Sequence, residues 1–113
     1  MLPGDFLVAK LTGETQTTIN GLSEGIFWDF KNDTTSEALF KYYKIDQSLV
    51  PEIVSNFTEQ AKVSKKGSES SGLPIGIPVT YRSGDQPNNA FTLGARSSGD
   101  VVATAGTLSL IHI

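Results

Sequence analysis

The chain has 113 residues, a formal net charge of −3, 38% hydrophobic residues and no cysteine. That length gives room for one domain at most, and the acidic balance argues against nonspecific binding to nucleic acid or to an anionic membrane surface, which needs clustered Lys and Arg. Without cysteine there is neither a disulfide framework nor a thiolate metal site, and no run of about 18 apolar residues is present to form a membrane-crossing helix.

The first element is expected over residues 2–11, LPGDFLVAKL. Pro3 suits a first-turn position, Asp5 favours the N-terminal end of the helix dipole, and Phe6, Leu7 and Leu11 recur near helical spacing. Thr12-Gly13 is the stop signal. This N-terminus lacks the basic start and long apolar stretch of a signal peptide, so a cytoplasmic protein is expected. On that basis the glycosylation-like triplets at Asn32 and Asn56 are read as chance. Residues 15–30 are Thr-rich and then apolar, with a short helix in the middle and IFWDF as an extended or turning segment. SEALFKYYKI (36–45) reads as a helix with Ser36 as N-cap and a stripe of Leu39, Phe40 and Tyr43.

Residues 46–60 predict a turn of helix broken at Pro51 and then extended chain. The basic cluster KVSKKG (62–67) reads as a solvated loop, and the Gly/Ser/Pro-rich stretch 65–78 as loop with at most one helical turn. IPVTYR (77–82) predicts a short strand, QPNNAFTLGAR a helix ending at Gly94 or just beyond, and VVATAGT (101–107) a final strand. Two strands do not complete a sheet, so the chain is expected to be part of a larger domain.

The tail LSLIHI (108–113) does not resemble the rest of the chain. It is the translation of an adapter used in transposase-prepared sequencing libraries, and is expected not to belong to the domain. His112, the only histidine, then carries no function. A Ser-His-Asp triad or a histidine metal site is excluded with it, and chemistry falls to carboxylates, Lys, Tyr, Arg or backbone donors.

Four blocks carry a resemblance: LPGDFLVAKLTGE (2–14), GLSEGIFWDF (21–30), GLPIGIPVTYRSGDQPNNAFTLGA (72–95) and GDVVATAGT (99–107). In order and spacing they resemble the later part of the first domain of FGGY-family sugar kinases, xylulose kinases above all. Gly-Asp alone is a weak motif; the four ordered blocks together are specific. The resemblance implies an α/β fold over residues 1–107, part of an actin-like (ribonuclease H-like) ATPase domain, mostly helical with two or three short strands. It implies ATP and Mg²⁺ as cofactors, a sugar such as D-xylulose as substrate, no nucleic-acid or membrane partner, and a parent protein that can be a homodimer.

By the same resemblance Asp85 is the base that takes a proton from the attacking sugar hydroxyl, and Gln86 helps hold the substrate. Gly106 and Thr107 form a phosphate-binding turn, and no metal ligand is assigned. The physical fit is sound: phosphoryl transfer needs an aligned hydroxyl and stabilised phosphate charge more than covalent chemistry. A Gly-Thr turn offers backbone N–H groups and a hydroxyl to phosphate oxygens. Read by itself, Asp85 is a helix-capping residue.

Other residues have two readings each. Arg82 is a substrate ligand or a strand-end partner of a carboxylate. Asn88 and Asn89 are sugar ligands or helix surface, and Trp28 with Phe27 and Phe30 is a stacking platform or buried core. Glu24 and Asp29 are candidates for a glycosidase-type carboxylate pair. The sequence departs from the family's pattern in lacking its opening Asp-Gly-Thr turn and its second domain, and in placing Thr17-Thr18 where many relatives have Thr-Asp. The isolated chain is therefore expected to be inactive. The alternatives are the same scaffold acting on glycerol, ribulose, rhamnulose or gluconate, or a small non-catalytic α/β binding module.

Overall fold

The computed structural model describes residues 1–103. The first helix, α1 (Pro3–Thr12), begins with Pro3 in its first turn and ends at Gly13, whose φ of 87° is left-handed and whose N–H closes on the Ala9 carbonyl. β1 (Gln16–Thr17) leads into α2 (Ile19–Glu24), capped by the Thr18 hydroxyl accepting from the Gly21 N–H at 3.2 Å. β2 (Trp28–Asp29) and β3 (Thr34–Thr35) form an antiparallel hairpin pairing Trp28 with Thr35. α3 (Glu37–Tyr43) and a single 3-10 turn (Gln47–Leu49) precede β4 (Glu52–Ile53). β4 runs parallel to β1, pairing Gln16 with Glu52 and Thr17 with Ile53.

The second half holds β5 (Ala61–Lys62), α4 (Lys65–Ser71), β6 (Pro78–Val79) and α5 (Asp85–Thr92). β5 and β6 are antiparallel, Ala61 opposite Val79 and Lys62 opposite Pro78. The strand expected over 77–82 is thus two residues long. Its carbonyls nevertheless continue the ladder: Ile77, Val79 and Thr80 accept from the N–H groups of Val63, Gln60 and Phe57. Pro78 has no N–H to return, so the ladder is one-sided there.

Two other expectations are corrected. The segment 65–78 contains a seven-residue helix, α4, where a loop with a single helical turn was expected. Ser64 caps it by accepting from the Gly67 N–H at 3.0 Å, and Ser64 also donates from its backbone N and its hydroxyl to the Leu11 carbonyl, at 2.9 and 3.1 Å. Gly67 is buried at the crossing, where a Cβ would overlap the Leu11 backbone. Glycine there is a packing requirement rather than a helix breaker. The apolar stripe read along α1 is also the wrong face. Phe6 and Leu7 are exposed at 51% and 59%, while Asp5, Val8 and Thr12 are buried. Those three recur at spacings of three and four, one face of the helix. On α3, Phe40 is buried against Phe27 with ring centroids 4.9 Å apart, but Tyr43 is exposed.

Buried apolar side chains among the described residues are Val8, Leu22, Phe40 and Val63. The buried polar set is Asp5, Thr12, Gln16, Thr17, Thr18, Gln60 and Arg82. The centre of the molecule, where α1, β1 and the β6–α5 connection meet, is therefore polar. Polar groups taken out of water need partners, and that requirement organises the site described below.

Two measurements check this packing. Gly67→Ala should lower the unfolding free energy by about 1–3 kcal/mol through overpacking on Leu11, read by urea denaturation; an unchanged midpoint would show that α1 and α4 do not touch there. The β2–β3 turn gives a second. Asp29 accepts from the Asn32 side-chain amide at 2.8 Å and from the backbone N–H groups of Asn32 and Lys31 at 3.2 and 2.9 Å. These bonds, the Asn32 amide first, hold its carboxyl below the ordinary value. A carboxyl depressed by folding favours the folded state above its unfolded pKa, and that contribution is lost as pH falls through the folded value. An NMR titration of the Asp29 side-chain carbon should have its midpoint below about 3.9; a midpoint at or above that value would mean the turn does not form.

Candidate active site

A cleft of about 490 Å³ opens between the start of α1, the face of α2 and the β6–α5 connection. Asp5, Thr18, Glu24, Arg82, Gly84 and Asp85 line it. Three acidic residues and one arginine thus line the same space.

Asp5 and Arg82 form its floor. Arg82 is 6% exposed and Asp5 is 7% exposed, and Arg82 Nε lies 3.5 Å from Asp5 Oδ1. The other carboxylate oxygen, Oδ2, accepts from the Thr17 hydroxyl at 3.0 Å. The Arg82 backbone N–H donates to Asn56 Oδ1 at 3.3 Å. Burial lowers the Arg82 pKa from its ordinary value, and the Asp5 charge opposes that. Of the two readings offered for Arg82, pairing with a carboxylate is observed. The pair is nonetheless incomplete: the contact is ionic without a directed hydrogen bond, and none of the three guanidinium nitrogens has a hydrogen-bond partner among the described residues.

Asp85 stands at the rim. Gly84 is the N-cap of α5 in an extended conformation (φ −79°, ψ −173°), and Asp85 is the first helical residue. The capping role open to Asp85 is therefore displaced by one position. Its Oδ1 accepts from the Gln86 N–H at 2.9 Å, and the side chain is exposed to the cleft. Gln86 is exposed, and its amide lies 3.5 Å from Asp85 Oδ2; it is not among the residues lining the cleft. The connection itself is held from both sides, by Asn20 donating to the Ser83 hydroxyl at 3.2 Å and by Asn88 donating to the Ser83 carbonyl at 3.3 Å. Asn88 also accepts from Tyr81 at 2.7 Å, which commits it to supporting the loop. Asn89 is exposed helix surface.

Glu24 comes in from α2. It lodges so closely over Gly84 that a Cβ at that position would overlap its carboxylate. Its Oε2 is buried without a hydrogen-bond partner among the described residues. Asp29, offered as its partner in a carboxylate pair, is instead folded into the β2–β3 turn and does not line the cleft. Phe27 packs on Phe40, Trp28 is half-buried and Phe30 is 72% exposed, so these three side chains neither form one platform nor line the cleft. Thr17 and Thr18, where many relatives have Thr-Asp, are 3% and 2% exposed; Thr17 serves Asp5 and Thr18 caps α2. Gly106, Thr107, most of the expected final strand and the tail 108–113 lie outside the described residues. Among the described residues, no group of three His, Cys, Asp or Glu is placed to hold a metal ion, and no helix is long and apolar enough to cross a membrane.

This arrangement, a helix N-terminus bearing a carboxylate over a polar cleft in an α/β frame, is that of part of an actin-like ATPase domain. It superposes on the crystal structure of xylulose kinase from Rhodospirillum rubrum with a TM-score of 0.72 and 28% identity, over 84% of this chain and 20% of that one. The xylulose kinase of Brucella ovis shares the fold at a TM-score of 0.67 and 20% identity, over 80% of this chain and 19% of that one. In sequence, the chain is 33% identical to the xylulose kinase of Staphylococcus xylosus over 99 residues, which are 88% of this chain and 20% of that protein. It is 31% identical to the glycerol kinase of Thermococcus kodakarensis over 110 residues, 96% of this chain and 21% of that protein. No family model matches the chain. The chain is homologous to one segment of the xylulose and glycerol kinases and spans about a fifth of their length.

Sequence reasoning missed the weight of Asp5 and gave Glu24 the wrong neighbour. For Asp5 a signal existed, since it shares the 5–8–12 face with Val8 and Thr12. For Glu24 there was none: its neighbour Gly84 is remote in sequence. Asp5→Ala leaves the Arg82 cation buried and unpaired, and should destabilise the fold by about 3–5 kcal/mol in urea unfolding. A loss under about 1 kcal/mol, the range of a solvent-exposed pair, would refute the buried pairing.

Proposed function

We propose that the chain is the segment of an ATP-dependent sugar kinase that carries its catalytic base, acting on a ketopentose such as D-xylulose. The observation that supports this best is Asp85: an exposed carboxylate at the first turn of α5, lining the cleft, on a connection hydrogen-bonded through Ser83 to Asn20 and Asn88. In the proposed reaction the Asp85 carboxylate accepts the proton of a sugar hydroxyl. The hydroxyl oxygen forms a bond to the terminal phosphorus of ATP as the bond to the ADP oxygen breaks, so one phosphoryl group is transferred and ADP leaves. The base must lie within hydrogen-bond reach of that hydroxyl, and a helix-anchored carboxylate gives the alignment this requires.

Gln86 is assigned to the substrate, and Gly106 and Thr107 to the phosphates of ATP, by resemblance to the kinases rather than by described geometry. Mg²⁺ would neutralise phosphate charge when bound. Among the described residues no three His, Cys, Asp or Glu are placed to hold it, and no step here is routed through the metal. Residues 1–107 are taken as a piece of that kinase's first domain and 108–113 as foreign to it, and a cytoplasmic site of action is assigned with the metabolic role.

A second reading, the same chemistry on glycerol or another polyol, is supported by the similarity to glycerol kinase, which covers as much of the chain as that to xylulose kinase. The test of the common core is Asp85→Asn in the complete kinase. Turnover should fall by at least about a hundredfold, the usual contribution of a general base, while sugar binding, measured calorimetrically, persists. Near-normal turnover would remove Asp85 from the role of base.

A further inference from the structure

We infer that Arg82 and Glu24 anchor the substrate beside Asp85, and that together they select an uncharged polyhydroxy compound over a sugar acid. The inference deepens the sugar-kinase reading and rests on it.

The carrying observation is a pair of unmet hydrogen-bonding needs in one cleft. Arg82 is more than nine-tenths buried and lines the cleft, yet its Nε, Nη1 and Nη2 have no hydrogen-bond partner among the described residues. A guanidinium presents five N–H donors, and leaving them buried and unused is costly. Asp5 supplies the opposite charge but no directed bond. A purely structural Arg–carboxylate pair favours two parallel hydrogen bonds; this one leaves the guanidinium's donors available to something else. On the α2 side of the cleft, Glu24 Oε2 is a buried acceptor in the same condition. Glu24 rests on Gly84, the residue next to Asp85, because no side chain at Gly84 stands in the way.

A hydroxyl group can accept from Arg82 and donate to Glu24, so a run of hydroxyls satisfies both. An anionic ligand cannot. It would gain Arg82 but meet Asp5, Glu24 and Asp85, three acidic residues lining the same space, and like charges repel at that range. The lining thus favours neutral ketoses and polyols and disfavours gluconate. Neither residue is catalytic in this scheme, since both act on the part of the sugar that does not react.

The test is steady-state kinetics of the complete kinase on D-xylulose, glycerol and D-gluconate, for the natural protein, Glu24→Gln and Arg82→Lys. The natural protein should phosphorylate a neutral substrate and not gluconate. Each variant should raise the sugar KM about tenfold or more, the loss of a charged hydrogen bond, with the KM for ATP unchanged. Where Arg82→Lys fails to fold, Glu24→Gln carries the test, together with loss of the thermal shift induced by the neutral sugar. Sugar KM values within about twofold of the natural protein in folded variants, well short of that tenfold loss, would overturn the anchoring role while leaving the kinase reading intact. Preference for gluconate would do the same. Absence of turnover on every sugar and polyol in the natural protein would overturn the kinase reading and this inference with it.

Discussion

The buried contact between Asp5 and Arg82 is the constraint on which the rest of the site depends. It joins the first turn of α1 to the β6–α5 connection, two parts of the chain far apart in sequence. Removing two charges from water is expensive, and their attraction repays the cost only when the surroundings complete the hydrogen bonding. Here the surroundings do so for Asp5, through the Thr17 hydroxyl, and not for Arg82. That asymmetry separates scaffold from site: the satisfied carboxylate holds the elements together, and the unsatisfied guanidinium belongs to a residue that lines the cleft.

Around this pair the other groups fall into place by packing. Thr18 caps α2 and keeps the helix pointing at the cleft; Gly84 lets Glu24 settle over the loop; Asn20 and Asn88 fasten Ser83 from either side. The result is a carboxylate, Asp85, whose helix position is defined by its neighbours although it is itself exposed. The base proposed for phosphoryl transfer has this need, because such a reaction depends on alignment. The small apolar core, only Val8, Leu22, Phe40 and Val63 among the described residues, fits a chain that spans about a fifth of its relatives' length.

Much of the local structure was legible. Pro3 and Gly13 bracket α1, and α5 ends just before Gly94, which takes a left-handed φ of 80°. The four ordered blocks gave the relationship to the sugar kinases, and Asp85 was found at the cleft. Three readings failed because a nonlocal contact overrode a local signal. Gly67 reads as a breaker until the Leu11 backbone is seen against it. Phe6 and Leu7 read as the buried stripe until α1 turns its Asp5–Val8–Thr12 face inward. Glu24 and Asp29 read as a pair until Asp29 is spent on its own turn.

What the sequence by itself determined is short-ranged: where helices start and stop, which segments extend, and, through ordered motifs, the kinase relationship. Caps, turns and prolines act over a few bonds, so a few letters suffice to read them. The tertiary structure alone decided which face of each helix is buried, that Arg82 meets Asp5, and that Glu24 shares the cleft with Asp85. Those outcomes depend on which distant polar groups meet once water is excluded, and on the high cost of any left without a partner.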